Sequence, residues 1–197
     1  MLAGPVLIRA RRDADLGACA DFVREVHSAD RYPRFLQADI AQFLNPPDPF
    51  GYWIADLNGA VAGHVALVAR GLPATMEIAA SAIGKPADEL AVVARLFVSP
   101  RTRGLGVGRM LLDAATAEAR SRGLHPVLDV DTELSAAIAL YESAGWTRAG
   151  KLTVRWPDYE SGGSTSAGQS SAGQNAVRRP AERVLTEYVY LAPPPLP

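Results

Sequence analysis

Apolar positions along the chain change period from segment to segment, and the order of those periods predicts alternating strands and helices. Val6 to Ala10 reads as a short first strand. Asp13 is placed to cap a helix running to about His27, with Leu16, Ala20, Val23 and Val26 or His27 on one face. Arg31-Tyr32-Pro33 ends that helix, and Phe35 to Leu44 reads as a second short one closed by Asn45-Pro46-Pro47. Tyr52 to Leu57 and Val61 to Ala69 flank Asn58-Gly59, a two-residue hairpin signal. Residues 71–89 are ambiguous, with Met76 to Ile83 readable as a short helix inside a connecting loop. Ala91 to Val98 is a continuous apolar run of the kind buried on both faces of a sheet.

The clearest helix spans Gly106 to Arg122. Val107, Met110, Leu111, Ala114 and Ala117 share one face, Arg109, Asp113, Thr116 and Arg120 share the other, and Gly123 stops it. Pro126 to Val130 is another strand, followed by a helix from Ser135 to Ser143 that leaves through Ala144-Gly145. Trp146 to Trp156 and Val184 to Leu191 are the last strands. Between them, residues 158–182 are dominated by Ser, Gly, Gln and Ala, too polar to bury much surface, and read as a mobile hairpin loop. The Pro-rich tail at 193–197 reads as loose.

Composition adds bounds to this order. The 197 residues, 48% of them apolar, suffice for one core, and the whole chain, 1–197, reads as one domain. Basic and acidic residues number 20 and 21, which leaves no global field toward nucleic acid or an anionic membrane. Cys19 is the only cysteine, so an intrachain disulfide and a cysteine-rich metal site are excluded. His27, His64 and His125 lack metal spacing, and no metal is expected. No apolar run approaches the roughly 18–20 residues of a membrane span, and no signal-type segment opens the chain. A cytoplasmic protein with neither nucleic-acid nor membrane partners is the expectation.

The chemistry concentrates where the apolar run ends. Val98-Ser99-Pro100-Arg101-Thr102-Arg103-Gly104-Leu105-Gly106-Val107-Gly108-Arg109 leads from a strand through a basic, glycine-spaced turn into a helix. Glycines let backbone approach an anion, while the free N–H groups and dipole of the first helical turn favour its charge. This order predicts a phosphorylated ligand. A Walker loop is ruled out by the missing Gly-Lys-Ser/Thr. A dinucleotide fingerprint fails as well, because it finds Arg109 or Leu111 where it needs glycine.

Arg101-Thr102-Arg103-Gly104-Leu105-Gly106 resembles the Arg/Gln-x-x-Gly-x-Gly/Ala loop of the Gcn5-related N-acetyltransferases, preceded by that family's Val-x-Pro as Val98-Ser99-Pro100. A second matching segment follows at the expected distance. Leu128-Asp129-Val130 precedes Ala136 to Trp146, which is similar to the family's Ala-x-x-x-Tyr-Glu-x-x-Gly-Phe, with Trp146 in place of Phe. Leu134 departs from the family's usual Asn. The match covers about residues 90–150.

The resemblance implies an α/β fold of that family: a mixed, mostly antiparallel sheet of six to seven strands with about four flanking helices. It implies an acyltransferase that moves acetyl from acetyl-CoA, without a metal, to a primary amine of a small molecule or peptide N-terminus by direct attack. Arg101, Arg103, Gly104, Leu105, Gly106, Val107 and Gly108 would hold the pyrophosphate. The strand ending at Val98 would splay from the one carrying Asp129, with backbone amides near Phe97 and Val98 facing the pantetheine arm or the thioester. Tyr141 falls at the family's general-acid position, and it is also readable as a packed helix tyrosine. Asp129 matches an acidic position of the branch that acetylates ribosomal-protein N-termini, and it is equally readable as a strand-end aspartate held by backbone N–H groups. Asp131 shares its face. Ala94-Arg95 stands where many members carry a glutamate base, so a weakly catalytic CoA-binding module remains the alternative. The turn Tyr32-Pro33-Arg34-Phe35 and residues 71–89 lie where the fold shapes its acceptor pocket. Members often dimerise, and no dedicated interface is legible.

Overall fold

A computed structural model describes residues 4–34, 36, 39–157 and 182–195. Among the described residues, seven strands form one sheet in the order β1-β2-β3-β4-β5-β7-β6. These are β1 (Val6–Ala10), β2 (Pro49–Leu57), β3 (Ala60–Val68), β4 (Leu90–Val98), β5 (His125–Asp131), β6 (Thr147–Pro157) and β7 (Glu182–Leu191). Only β4 and β5 pair in parallel, joined by the crossover helix α4 (Val107–Ser121); every other neighbour is antiparallel. α1 (Leu16–Asp30), α2 (Ile40–Leu44) and α3 (Pro73–Ile83) cover one face. α4 and α5 (Ser135–Ser143) cover the other. Among the described residues, five helices flank the sheet, against about four implied by the resemblance.

Local chemistry moves two boundaries. Asp13 does not cap a helix: Asp13–Asp15 is a 3-10 turn and α1 starts at Leu16. Asp15 is the reason, since its carboxylate accepts the Arg12 N–H at 2.7 Å and is gripped by the Arg9 guanidinium at 2.7 and 2.9 Å. These bonds hold Asp15 well below the usual carboxylate range. The second helix is shorter than Phe35 to Leu44, because Asp39 caps α2 by accepting the Gln42 N–H at 3.1 Å. The Ser/Gly-rich segment falls outside the described residues save Glu182, which opens β7. The tail is tied at its first residue, where Arg120 donates to the Pro193 carbonyl at 2.5 Å. Among the described residues, no helix is long and apolar enough to cross a membrane.

Two departures from a regular sheet make room for a site. Between β3 and β4 the register slips: Ala66 faces Ala94 but His64 faces Phe97, so Arg95 and Leu96 share one place opposite Val65. Arg95 takes φ +54, a left-handed backbone that non-glycine residues rarely adopt. Beyond this, β4 and β5 pair only from Leu90–His125 to Val92–Val127 and then separate. Against the bulge, α4 packs on Gly63, where an added Cβ would lie 2.7 Å from Leu111 Cδ1 and 3.1 Å from the Phe97 carbonyl oxygen. Gly63→Ala is therefore expected to lower unfolding stability by about 1–3 kcal/mol, read from the urea midpoint.

Candidate active site

The gap between β4 and β5 widens into a cleft of about 1880 Å³ that crosses the sheet from the α4 N-terminus to the α1–α2 turn. At one end, Ser99 Oγ accepts the Arg101 N–H at 3.2 Å and Thr102 Oγ1 contacts the Ala62 carbonyl at 3.4 Å, fixing the turn that leaves β4. Gly104 and Gly106 follow at φ +79 and +75, with nothing within 4 Å of the space a Cβ would fill. Gly106 is the N-cap of α4 and supplies no side chain, so the first-turn N–H groups carry no side-chain cap. The end of this turn is an open anion cradle.

Sequence-predicted residues divide here. Phe97, Val98, Arg103, Gly104, Gly106, Val107 and Gly108 line the cleft, and Arg109 joins them. Arg101 and Leu105 do not. The 3-10 turn Pro100–Thr102 swings Arg101 outward to pair with Glu25 at 2.9 Å, and Leu105 is 46% exposed. Arg103 pairs with Asp30 at the end of α1. Of the two amides expected to face the gap, only one does. Ser99 N–H donates to the Ala62 carbonyl of β3, so alternation turns Phe97 N–H toward β3 as well and Val98 N–H toward the separated β5 side.

Tyr141 and Asp129 reach the same cleft from opposite faces of the sheet. Tyr141 is 6% exposed, its ring 6.2 Å from that of Trp146 and 6.0 Å from that of Tyr190. The helix beneath it is anchored where Tyr190 Oη donates to Glu142 at 2.8 Å and Arg148 donates to the same carboxylate at 3.0 Å. Burial raises the Tyr141 phenol well above its ordinary value, with Tyr32 and Asp129 adding to the shift. Asp129 is also raised, by burial first, although Thr75 Oγ1 donates to it at 2.7 Å. Thr75 is the one link from the 71–89 stretch to the site. α3 otherwise packs on β5, β7 and β6 and lines no part of the cleft.

Sequence reasoning missed Glu187. It faces Asp131 directly across the β5–β7 ladder and sits one step diagonally from Asp129, so three carboxyls share one face. Its Oε2 is buried with no hydrogen-bond partner among the described residues. Burial, then the charges of Asp129 and Asp131, raise its carboxyl to about 7. The signal was present: Glu187 is in phase with Leu185, Val189 and Leu191, which places a carboxyl on the buried face.

The far wall is the α1–α2 turn. Tyr32, Pro33 and Arg34 line the cleft, while Phe35 lies outside the described residues. His27 Nδ1 donates to the Pro33 carbonyl at 2.8 Å and holds the turn. Arg34 crosses to Asp131 and Glu133, each at 2.6 Å. Glu133 N–H donates to Asp131 Oδ1 at 2.9 Å, so Asp131 caps the turn that leads into α5. His64 is a core residue, 0% exposed, and is held neutral by burial with its pKa pushed down to about 4. It stacks on Phe97 at 5.1 Å and bonds the Arg95 carbonyl at 3.1 Å.

Residues 19–146 match the family described as acetyltransferase (GNAT) family. The chain belongs to that family. Among curated relatives of this GNAT chain are mycothiol acetyltransferases from Thermobispora bispora, 40% identical over 103 residues, and Acidothermus cellulolyticus, 36% identical over 104. The first alignment covers 51% of this chain and 31% of the relative, the second 52% and 32%, so the chain spans about a third of their length. Solved structures of the same fold include the ribosomal-protein-S18-alanine N-acetyltransferase of Escherichia coli, at TM-score 0.59 and 18% identity, covering 98% of this chain and 96% of that one. A Salmonella typhimurium structure with its cofactor acetyl-CoA superposes at TM-score 0.58 and 19% identity, over 95% and 93% of the two chains.

Proposed function

We propose that this GNAT domain transfers acetyl from acetyl-CoA to an amine, with Glu187 as general base, Tyr141 as hydrogen-bond donor to the leaving sulfur, and Asp129 supporting Glu187. One observation carries the reading. An uncapped helix N-terminus and a carboxyl raised to about 7 open into the same cleft, with Tyr141 beside them. Acetyl-CoA fits these residues, since the glycine turn and the α4 amides offer an anion cradle and the β4–β5 gap offers unpaired backbone for an amide-bearing arm. Bound acetyl-CoA supplies the thioester.

The chain's own residues then have distinct tasks. Glu187 accepts a proton from the incoming ammonium, which frees the nitrogen lone pair for attack. A carboxyl near 7 is half ionised at neutral pH, whereas an ordinary glutamate would be a much weaker acceptor of that proton. Val98 N–H, turned to the gap, is placed to hydrogen-bond the carbonyl oxygen as charge develops on it. Tyr141 donates to sulfur as the C–S bond breaks. Of the two protons that nitrogen loses, one leaves through Glu187 to solvent and the other ends on sulfur by way of Tyr141.

Calorimetry with acetyl-CoA and a thiol-release assay over an amine panel test the reading. Micromolar binding and acceptor-dependent thiol release are expected. Failure to bind acetyl-CoA at micromolar concentration overturns it.

A further inference from the structure

Toward the α1–α2 end of the cleft, Arg34 and Arg95 differ. Arg34 is spent on Asp131 and Glu133. Arg95 lines the same cavity and forms no ion pair among the described residues. Its guanidinium is nonetheless held: Nε donates to the Phe43 carbonyl at 3.1 Å and Cζ sits 4.4 Å over the Phe43 ring. Of its five N–H donors, Nε is used in this brace and the outer fork also meets the Tyr32 hydroxyl, which leaves further N–H groups on a residue that lines the cavity. The fork lies close enough to Tyr32 and Asp129 to oppose the ionisation shift of each, which places it near the Asp129 carboxyl.

The backbone beneath it is costly. Arg95 occupies a left-handed bulge position that glycine or asparagine would fill with less strain. His64 secures that position through the Arg95 carbonyl, and Arg11 in turn donates to His64 Nε2 at 3.1 Å. Strain kept at a cavity wall, under a pre-oriented and unneutralised planar cation, points to use of the side chain. A guanidinium fork matches a carboxylate through two parallel hydrogen bonds.

We propose that Arg95 is the specificity residue of the acceptor site, receiving a carboxylate carried by the amine substrate. The acceptor class is then an amino acid, or another amine with a carboxylate within a few bonds of its nitrogen. Glu187 and Asp129 face the amine while Arg95 faces the acid. This assignment rests on the acetyl-transfer reading of the same cleft.

The test uses matched acceptors that differ only at the acid, an amino acid and its amide, with kcat and KM measured for the protein and for Arg95→Gln and Arg95→Lys. The protein prefers the acid form through KM, and Arg95→Gln lowers the acid-to-amide ratio of kcat/KM about 10- to 100-fold. Arg95→Lys restores only part of that ratio, since it keeps the charge and loses the fork. A purely structural brace would lower both members alike and leave the ratio intact, which overturns the proposal, as does a protein that does not prefer the acid. Calorimetry with CoA present, comparing an N-acetyl amino acid with its amide, gives a second readout that needs no turnover. Equal binding of the two overturns the Arg95 assignment, whereas absent thiol release with tight, Arg95-dependent acid binding strikes the transfer reading alone.

Discussion

Glu187→Gln is expected to lower kcat/KM about 100-fold or more and to erase the acid limb of the pH profile. Gln keeps the shape of Glu and its place opposite Asp131 in the β5–β7 ladder, but it cannot take a proton. In the unsubstituted protein the rate should climb with pH up to about 7, where the Glu187 carboxyl loses its proton, and level off above. The sign for stability is opposite. Glu187 moves from 4.5, its ordinary value, up to about 7, so between those values the folded chain holds more protons than the unfolded one. Stability from this group therefore falls as pH rises through that window. The variant carries no such charge, and its urea midpoint should change less between pH 5 and pH 8. A variant that is slow yet at least as stable at pH 8 separates loss of the base from loss of the fold. Retention of both the rate and the acid limb would move the base to Asp129.

How much of this could be read from residues alone depended on what each feature asks of the chain. The phosphate turn asks for glycine at Gly104 and Gly106, because positive φ and open backbone are chemical requirements that leave a trace in residue type. The hairpin at Asn58-Gly59 and the uncapped start of α4 are legible for the same reason. The separation of β4 from β5 is not, since it comes from a bulge at an arginine, and nothing in residues 90–98 marks a left-handed position. Arg101 matched a motif and yet points away, because its direction is set by the 3-10 turn after Pro100 and by Glu25 on a helix 76 residues earlier. Glu187 was visible in phase but not in meaning. Its perturbation comes from burial first and then from Asp129 diagonal and Asp131 opposite, and both exist only once β7 inserts between β5 and β6.

The bulge connects the two halves of the site. His64 fixes the Arg95 carbonyl and stacks on Phe97, and the same slip in register sets which β4 amides meet β3. One local irregularity thus accompanies a Val98 N–H turned toward the β5 side and an Arg95 set in the wall of the same cleft.

Tyr141→Phe is expected to lower kcat about 100-fold while the calorimetric Kd for acetyl-CoA stays within about twofold, since only one hydroxyl is removed. The ring packs against Trp146 and Tyr190, contacts that Phe preserves, so the fold should persist with less than about 1 kcal/mol lost. Burial raises the phenol above its ordinary 10.0, so the hydroxyl stays protonated across the working range. Loss of the Tyr141 proton should therefore produce no alkaline fall in rate up to about pH 10. A phenol this reluctant to ionise is a weak acid in the ground state. It helps by hydrogen-bonding to sulfur as negative charge gathers there, an effect that grows toward the transition state and so appears in kcat more than in binding. Reduction of kcat with unchanged binding supports that role, and an unchanged rate leaves Tyr141 as a packing residue between Trp146 and Tyr190.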